Sequence, residues 1–161
     1  MLSRKTKYGL RALLGLARGT DRSPRLVADL AREEGIPQKF LEAILLELKR
    51  RALVDSRKGR GGGYFLRRAP EEITFGDVIR ALEGPLATVP CVSETAYAPC
   101  VECVDELTCG VRIAMKEVRD ATAAILDRTS LADVTARSRR IASRAAASKK
   151  KRARSGERTA Q

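Results

Sequence analysis

The sequence has no histidine and no tryptophan, and aromatic residues make up only 4% of its 161 positions. Without histidine it lacks the side chain that most often acts as a general base, and its acidic residues form no catalytic motif, so an enzyme is not predicted. No run of about eighteen apolar residues occurs, which excludes a predicted membrane span. The basic first residues lack the small-residue cleavage pattern of a secretory signal. We therefore expect a cytoplasmic protein with an aliphatic core and no membrane partner.

Charge is distributed unevenly along the chain. Residues 1–68 hold 17 Lys and Arg against 7 Asp and Glu, residues 69–136 hold 5 against 12, and residues 137–161 hold 10 against 1. A strongly basic first part predicts a surface that binds a polyanion, whereas the acidic middle part is expected to have a different partner.

Three amphipathic helices are predicted in the basic first part. Apolar residues recur at three- and four-residue spacing from Lys5 to Arg18. A short helix with the sequence VADLAREE ends at Gly35, and a third helix, QKFLEAILLELKRR, follows Pro37. A short helix, a turn that contains glycine and a helix with a polar leading edge form the helix-turn-helix pattern. Many helical hairpins share this pattern, so it does not establish DNA binding by itself.

The next stretch, LVDSRKGRGGGYFLRR, predicts two strands joined by a basic, glycine-rich turn. The glycines permit a tight turn and close approach of the backbone to a ligand. A nucleotide-binding loop is disfavoured because no helix opens after the glycines and no Gly-Lys-Ser/Thr follows them. The predicted fold is therefore mainly α with a small β-wing: a winged helix-turn-helix followed by a long dimerisation helix.

This interpretation assigns side chains to double-stranded DNA. The candidates for base edges in the major groove lie at the N-terminal end of the third helix, off its apolar face: Gln38, Lys39, Glu42 and Ala43. The candidates for phosphate contacts, which set affinity more than sequence preference, lie in the wing: Arg57, Lys58 and Arg60. Weaker phosphate candidates are Arg4, Lys5, Lys49 and Arg50. For each basic residue, the alternative is a solvated charge without a ligand.

Beyond the wing, a fourth helix is predicted from Ile73 or Phe75 to Leu82, then a loop from Leu86 to about Glu102, and a long helix from about Glu106 to Asp127. The long helix carries apolar residues spaced alternately three and four apart: Val111, Ala114, Val118, Ala121 and Ile125. Such a seam predicts packing against a second copy of the chain. The alternative is packing on the first helix of the same subunit. A homodimer would present two DNA-binding heads to an inverted-repeat operator.

The last part of the chain is rich in Lys, Arg and Ala and has almost no acidic residues. Its composition predicts a disordered basic tail, which either adds salt-sensitive affinity for DNA or only increases solubility. The predicted organisation is a winged-helix domain over residues 1–84, a cysteine-rich loop over 85–105, a dimerisation helix and C-terminal turn over 106–134, and the basic tail over 135–161.

All four cysteines lie within the 19-residue segment CVSETAYAPCVECVDELTC: Cys91, Cys100, Cys103 and Cys109. In a reducing cytoplasm, clustered cysteines indicate metal ligands or reactive thiols rather than stable disulfides. Four thiolates select an iron-sulfur cluster or zinc, although only Cys100 and Cys103 form the Cys-x2-Cys knuckle typical of zinc. The residues alone leave these two open, together with a thiol-disulfide switch between Cys100 and Cys103.

Four segments, in this order, resemble the bacterial winged-helix regulators that include IscR, NsrR and RirA: MLSRKTKYGLRALLGLA, IPQKFLEAILLELKRRALVDSRKGRGGGYFL, ITFGDVIRALEG and CGVRIAMKEVRDATAAILDRTSLADV. The resemblance covers about residues 1–134. It implies a homodimeric transcription factor, usually a repressor, with a cysteine-bearing loop that holds an iron-sulfur cluster in many members. Glu42 matches the family's recognition-helix glutamate, Lys58 its wing base, and Cys103 and Cys109 its last two cysteines.

The cysteine segment departs from the family's common pattern of three cysteines, each spaced by five residues, with a histidine or a partner's acidic residue as fourth ligand. Arg112 stands at the histidine's position, and the four cysteines are separated by eight, two and five residues. The simplest interpretation is an all-cysteine site for a [2Fe-2S] or [4Fe-4S] cluster, whose loss, oxidation or nitrosylation changes operator affinity. The alternatives are a structural zinc, a thiol switch without a cofactor, or, in another class, a cluster-carrying electron-transfer or scaffold protein.

Overall fold

The computed structural model of the protein describes residues 2–19 and 23–157. The helices and strands within these residues are α1 (Arg4–Ala17), α2 (Val27–Glu34), α3 (Gln38–Arg50), β1 (Val54–Arg57), β2 (Gly63–Leu66), α4 (Phe75–Leu82), α5 (Gly110–Leu126) and α6 (Leu131–Glu157). Short 3-10 turns occur at Pro70–Glu72 and Pro90–Val92. The predicted fold class, mainly helical with one small antiparallel sheet, is confirmed.

The core forms around α1, which packs against α2, α3, α4 and α6. Its periodic apolar residues point inward, and Leu13 is completely buried, as are Leu30 of α2 and Leu41 and Leu45 of α3. Burying each such side chain stabilises the fold by about 1.5–3 kcal/mol before the entropy of ordering it is counted. The aliphatic core expected from the shortage of aromatic residues is present.

The turn between α2 and α3 sets the direction of α3. Gly35 ends α2 in the left-handed conformation, with a φ of 60°, and the backbone N–H of Ile36 donates to the carbonyl of Ala31. A glycine adopts this conformation without the steric cost that a side chain would add. Glu34 is buried beside the turn, and its carboxylate accepts a hydrogen bond of 2.6 Å from Arg18. The sequence predicted the turn but not this buried ion pair.

The two strands form the predicted wing. β1 and β2 pair antiparallel, with Val54 opposite Leu66 and Arg57 opposite Gly63. The connecting turn is closed by a hydrogen bond of 2.9 Å from the N–H of Gly62 to the carbonyl of Gly59. One end of the hairpin is anchored in the core, because Val54 and Leu66 are buried, and its basic turn is exposed.

The long helix α5 begins at Gly110, four residues later than the predicted start near Glu106. The carboxylate of Asp105 accepts hydrogen bonds from the backbone N–H of Leu107 and the hydroxyl of Thr108. Local bonds of this kind compete with helix formation, so residues 105–108 form a turn instead. The helix packs against α4 and the Pro90–Val92 turn.

The prediction of a disordered tail from residue 135 differs from the structure, in which α6 runs from Leu131 to Glu157. Ser130 and Asp133 cap its first turn by exchanging hydrogen bonds, and Leu131 is completely buried. Ala, Arg and Lys are strong helix formers, so a helix that capping and packing have started continues through the basic segment. Residues 131–134, expected as a C-terminal turn, are instead the first turn of this helix.

An ion pair between Arg80 and Asp127 ties α4 to the end of α5 and makes the stability of this junction dependent on pH. Arg80 donates two hydrogen bonds, of 2.6 and 2.9 Å, to the Asp127 carboxylate and thereby lowers the pKa of Asp127. Because the pKa of Asp127 is lower in the folded state than in the unfolded state, the ion pair stabilises the fold at pH values above the unfolded-state pKa, which is near 3.9. This stabilisation is lost as the pH falls through the folded-state pKa.

We expect Asp127→Asn to lower the free energy of unfolding at neutral pH by about 0.5–1 kcal/mol, the range of partly exposed ion pairs. The difference from the wild type should shrink when urea denaturation is repeated below about pH 4. Asp29→Asn is the matched control, since Asp29 pairs with Arg32 within a single helix. A deficit in Asp127→Asn that is equal at both pH values would contradict the assignment.

Candidate nucleic-acid interface and cysteine segment

The N-terminal end of α3 presents a polar edge to solvent. Gln38, Lys39, Glu42 and Ala43 are all exposed there, while the opposite side of the helix is buried. The side-chain amide of Gln38 donates a hydrogen bond of 2.9 Å to the carboxylate of Glu42, one turn later. The sequence did not predict this bond, which holds the two candidate base-contacting side chains together.

The wing turn carries a positive charge that other side chains do not neutralise. Arg57, Lys58 and Arg60 are exposed, and none of them forms an ion pair within the part of the chain that the structure describes. Two of the weaker candidates differ, because Lys5 pairs with Glu47 at 3.2 Å and Lys49 pairs with Asp55 at 3.0 Å. The wing therefore keeps its charge available for a phosphate backbone, whereas the charges of Lys5 and Lys49 are engaged within the molecule.

The base of the wing docks on the segment before α2, a contact that the sequence did not indicate. Arg25 and Tyr64 exchange two backbone hydrogen bonds, of 2.8 and 2.9 Å. The side chain of Arg25 also forms an ion pair with Glu33 of α2. These contacts fix the wing relative to the helix-turn-helix, so that the wing turn and the N-terminal end of α3, together called the reading head below, keep one arrangement.

Cys103 and Cys109 lie side by side at the start of α5. The backbone N–H of Arg112 at the N-terminus of α5 and the neighbouring Cys103 lower the pKa of the Cys109 thiol. Partial desolvation raises the pKa of Cys103. The exposed Cys100 is held in the same turn, because the N–H of Cys103 donates to the carbonyl of Cys100 at 3.3 Å.

Cys91 is placed differently from the other three cysteines. It is only 7% exposed and lies in the Pro90–Val92 turn, which packs on α5. Over residues 2–19 and 23–157, no group of three or more Cys, Asp or Glu side chains has an arrangement that could hold a metal ion. The donor chemistry of the segment fits a thiophilic centre, while the four-cysteine set stays a prediction.

Arg112, at the position where the resembling family commonly has a histidine, forms an ion pair of 3.6 Å with Glu106. A guanidinium has no free lone pair at neutral pH and cannot serve as a metal ligand. The side chain instead holds the start of α5 to the turn that precedes it.

The predicted apolar seam of α5 is exposed along its length. Val111 is 65%, Val118 45% and Ile125 63% exposed, and Ala114 and Ala121 between them are also exposed. The adjacent side of α5, which includes Arg119, is buried against the rest of the chain. Since α5 packs on α4 and the Pro90–Val92 turn, the alternative prediction that the helix lies on α1 is not supported.

None of the helices in the described part of the chain has the length and apolar character needed to pass through a bilayer. Comparison with known families matches residues 2–137 to Rrf2, described as iron-dependent transcriptional regulators. The rrf2-like HTH-type regulator of Rhodobacter capsulatus is 40% identical over 139 residues, which cover 84% of this chain and 93% of that protein.

Two solved structures are similar over most of their length. The structure of CymR, the global cysteine regulator of B. subtilis, matches with a TM-score of 0.70 and 31% identity and covers 84% of this chain and 96% of its own. IscR of T. potens matches with a TM-score of 0.68 and 26% identity, covering 86% of this chain and 88% of its own. The family match spans the reading head, the cysteine segment and α5, and it ends within α6.

Proposed function

Because this chain belongs to the Rrf2 family of transcriptional regulators, we propose that it is a homodimeric repressor that binds an inverted-repeat operator. We place its activity in the cytoplasm, as a regulator rather than an enzyme, and propose that a thiolate-bound iron-sulfur cluster at the cysteine segment controls its affinity for DNA. The observation that carries the proposal is the position of the cysteine segment, directly before a helix with an unpaired apolar seam.

The reading head supports the DNA-binding part of the proposal. A polar helix edge that carries Gln38, Lys39 and Glu42 can reach base edges in the major groove, where a carboxylate can accept only from amino groups, chiefly cytosine N4. The same carboxylate disfavours positions where it would meet phosphate or an acceptor, so Glu42 contributes to specificity by excluding sequences. The uncompensated cations of the wing would hold the adjacent phosphates and set the orientation of the head.

The seam of α5 supports the dimer. A stripe of Val, Ala and Ile over four turns is costly to leave in water, and in this chain nothing that the structure describes covers it. Small Ala114 and Ala121 between larger residues let two helices approach closely. A second copy would pair the same stripe with itself across a twofold axis, which is the most frequent symmetry of homo-oligomers.

The cysteine segment supports a thiophilic centre. Cys103 and Cys109 are adjacent, Cys100 shares their turn, and the helix terminus favours the thiolate form of Cys109. An iron-sulfur cluster held there would supply reversible redox and ligand-loss chemistry. The residues of this chain would bind the centre through their sulfurs, while Arg112 and Glu106 hold the start of α5 against the cysteine turn.

A continuous series of contacts joins the cysteine segment to the reading head. Cys109 immediately precedes α5, and Asp127 at the other end of α5 is bonded to Arg80 of α4. Glu83, just after α4, accepts a hydrogen bond from the backbone N–H of Ser3, which caps α1. A change in the cysteine segment that moved α5 would therefore move α1 and the helices that pack on it. The resulting change in DNA affinity equals the difference in DNA-binding free energy between the two arrangements of the cysteine segment.

A second candidate is a metal-free thiol switch, which the Cys103–Cys109 contact favours. The sequence suggested Cys100 with Cys103, and the mutual effect of Cys103 and Cys109 on their pKa values supports Cys109 as a second possible partner of Cys103. Oxidation by a peroxide would join these two sulfurs in a disulfide, with the two thiol protons and two electrons reducing the peroxide to water.

The decisive experiment is anaerobic purification with iron, sulfide and zinc analysis, followed by footprinting of the metal-loaded and metal-free protein on the DNA upstream of its own gene. We expect a brown protein with stoichiometric iron and sulfide, and a change in protection when the centre is removed. Cys103→Ser and Cys109→Ser should each abolish iron binding. Colourless protein with one zinc would identify a structural zinc, and metal-free protein whose footprint responds to peroxide would identify the thiol switch.

Cys91→Ser tests which cysteines bind the centre. Cys91 is buried while the other three cysteines are at least partly exposed, so full iron content in this variant would show that three cysteines and another ligand suffice. Loss of iron equal to that of Cys109→Ser would show that the Pro90–Val92 turn rearranges to complete the predicted all-cysteine site. Ser93→Ala, two residues along the same turn, is the control for disturbance of the loop.

A further inference from the structure

The basic part of α6 is unexplained by the proposed function. Residues 135–157 hold nine Lys and Arg against one Glu, and all but the first three of these residues lie beyond the family match. Arg140 and Arg144 are exposed and form no ion pair with another described residue. Such a density of like charge along one helix is self-repelling, and an anionic partner would offset that cost.

The exposed arginines of α6 form a stripe. Arg137, Arg140 and Arg144 are three and four residues apart, which places them on one face of the helix. The opposite face, with the buried Thr135 and with Arg139, is turned toward the domain. The stripe is therefore directed away from the body of the protein.

The anchor of α6 lies on the wing side of the domain. Arg139 donates a hydrogen bond of 2.9 Å to the backbone carbonyl of Arg18, at the end of α1. Arg18 and Gly19 line one groove together with Gly61 and Gly62 of the wing turn. From Arg139 to Glu157 the helix continues for about 27 Å at 1.5 Å per residue, more than twice the width of a major groove.

The acidic middle part of the chain is a poor partner for this stripe. Five of its twelve carboxylates form ion pairs within the molecule, which join Asp77 to Arg68, Glu94 to Arg119, Glu106 to Arg112, Asp120 to Lys116 and Asp127 to Arg80. Four more accept hydrogen bonds from nearby backbone N–H groups: Glu72, Glu83, Asp105 and Asp133, the last of which also lies near Arg137. A basic stripe next to a basic wing instead matches a second set of phosphates on the same duplex.

We propose that α6 is a helical phosphate-binding arm, in which Arg137, Arg140 and Arg144 contact the DNA backbone that flanks each operator half-site on the wing side. The inference rests on the proposed DNA-binding function and adds a surface to it. The contact is sequence-independent, because arginines that meet phosphate fix position and affinity without reading bases. It also differs from the action of a disordered tail, because an anchored helix protects phosphates at a fixed distance from the half-site.

The test compares the full chain with a variant that carries Arg137→Gln, Arg140→Gln and Arg144→Gln. Both are titrated over a range of salt concentrations on a duplex from upstream of its own gene and on a random-sequence duplex, with hydroxyl-radical footprinting on the first. Each lost phosphate contact reduces the slope of log affinity against log salt by about 0.9, so we expect a decrease of roughly 5 for a dimer that loses three contacts on each subunit. Protection beyond the half-site should disappear while protection within it remains.

A charge-matched control carries Arg51→Gln, Lys116→Gln and Arg128→Gln. Arg51 follows the C-terminal end of α3, away from Gln38, and the other two side chains are on α5 or directly after it. This control removes the same net charge and should retain the flanking protection. Circular dichroism establishes that α6 remains helical in both variants.

The outcomes separate the arm from the regulator. If the wild-type chain protects no DNA, the proposed function and the arm are both wrong. If it protects an operator but the α6 variant keeps the wild-type slope and flanking protection, the arm alone is overturned. A reduced slope without any discrete flanking protection in the wild type would identify a diffuse basic tail, and dissociation of the dimer in the α6 variant would identify the partner chain as the ligand; either result overturns the arm.

Discussion

We expect Val118→Asp to convert the proposed dimer to a monomer and to weaken operator binding by at least about 10²-fold. Val118 is the central large residue of the exposed α5 seam, so the substitution places two carboxylates close together where the two copies meet. Charges buried at an interface without a partner cost several kcal/mol. Once the two heads are no longer linked, each binds its half-site alone. The second head then no longer benefits from the effective concentration, in the millimolar range, that linkage to the first head provides.

Because Val118 is already 45% exposed in the single chain, the substitution should leave the folded monomer intact. Sedimentation analysis then reports the mass, and urea denaturation reports whether the monomer retains its core. Ile113→Asp is the matched control, since Ile113 is 52% exposed on the other side of α5 from the seam. A Val118→Asp protein that remains dimeric and binds its operator normally would show that another surface forms the dimer.

Gly63→Ala lowers the free energy of unfolding of the wing and its docking site by about 2–4 kcal/mol and weakens DNA binding about tenfold. Gly63 has a φ of 141°, and a Cβ added there would lie 2.2 Å from the backbone carbonyl oxygen of Arg25. Since the obstacle is backbone, it cannot rotate away as a side chain would. The wing would have to separate from Arg25 and lose the two hydrogen bonds that Tyr64 exchanges with it, each worth about 1 kcal/mol.

Gly61→Ala is the control for this substitution. Gly61 also has a positive φ, of 75°, but a Cβ there meets nothing within 4 Å. It should cost only the backbone strain of about 1 kcal/mol and leave DNA affinity nearly unchanged. Hydrogen exchange at Tyr64 distinguishes the two variants, because only Gly63→Ala exposes its backbone N–H. Equal exchange and equal DNA affinity in both variants would refute a role for wing docking in positioning the basic turn.

These results would also bear on how the two halves of the protein communicate. The reading head is fixed on one side by Arg25 and Tyr64 and on the other by the packing of α1 against α4. The α4 side is the one that connects to the cysteine segment, through Arg80 and Asp127. Loss of wing docking should therefore reduce DNA affinity equally in the metal-loaded and metal-free protein, whereas loss of the Arg80–Asp127 pair should reduce the difference between them.

Short-range patterns in the sequence were enough to predict the local elements of the fold. Apolar spacing located α1, α3 and α4, and Gly35 marked the end of α2 to the residue. The run of basic residues and glycines after α3 predicted the wing, and the α5 seam followed from residue spacing alone. These features depend on neighbours a few positions apart, so they are visible without coordinates.

Which residues far apart in the sequence contact each other depends on long-range packing and is visible only in the tertiary structure. The backbone hydrogen bonds between Arg25 and Tyr64 join residues far apart in the sequence, and no sequence pattern predicted them. The four clustered cysteines suggested one site, yet packing of the Pro90–Val92 turn on α5 buries Cys91 and leaves Cys103 beside Cys109. The composition of the tail predicted disorder because such a segment cannot fold by itself. The helix α6 forms nevertheless, because capping by Ser130 and burial of Leu131 against the domain start it. Long-range packing supplies the free energy for these contacts, and that packing cannot be predicted from the spacing of residues along the sequence.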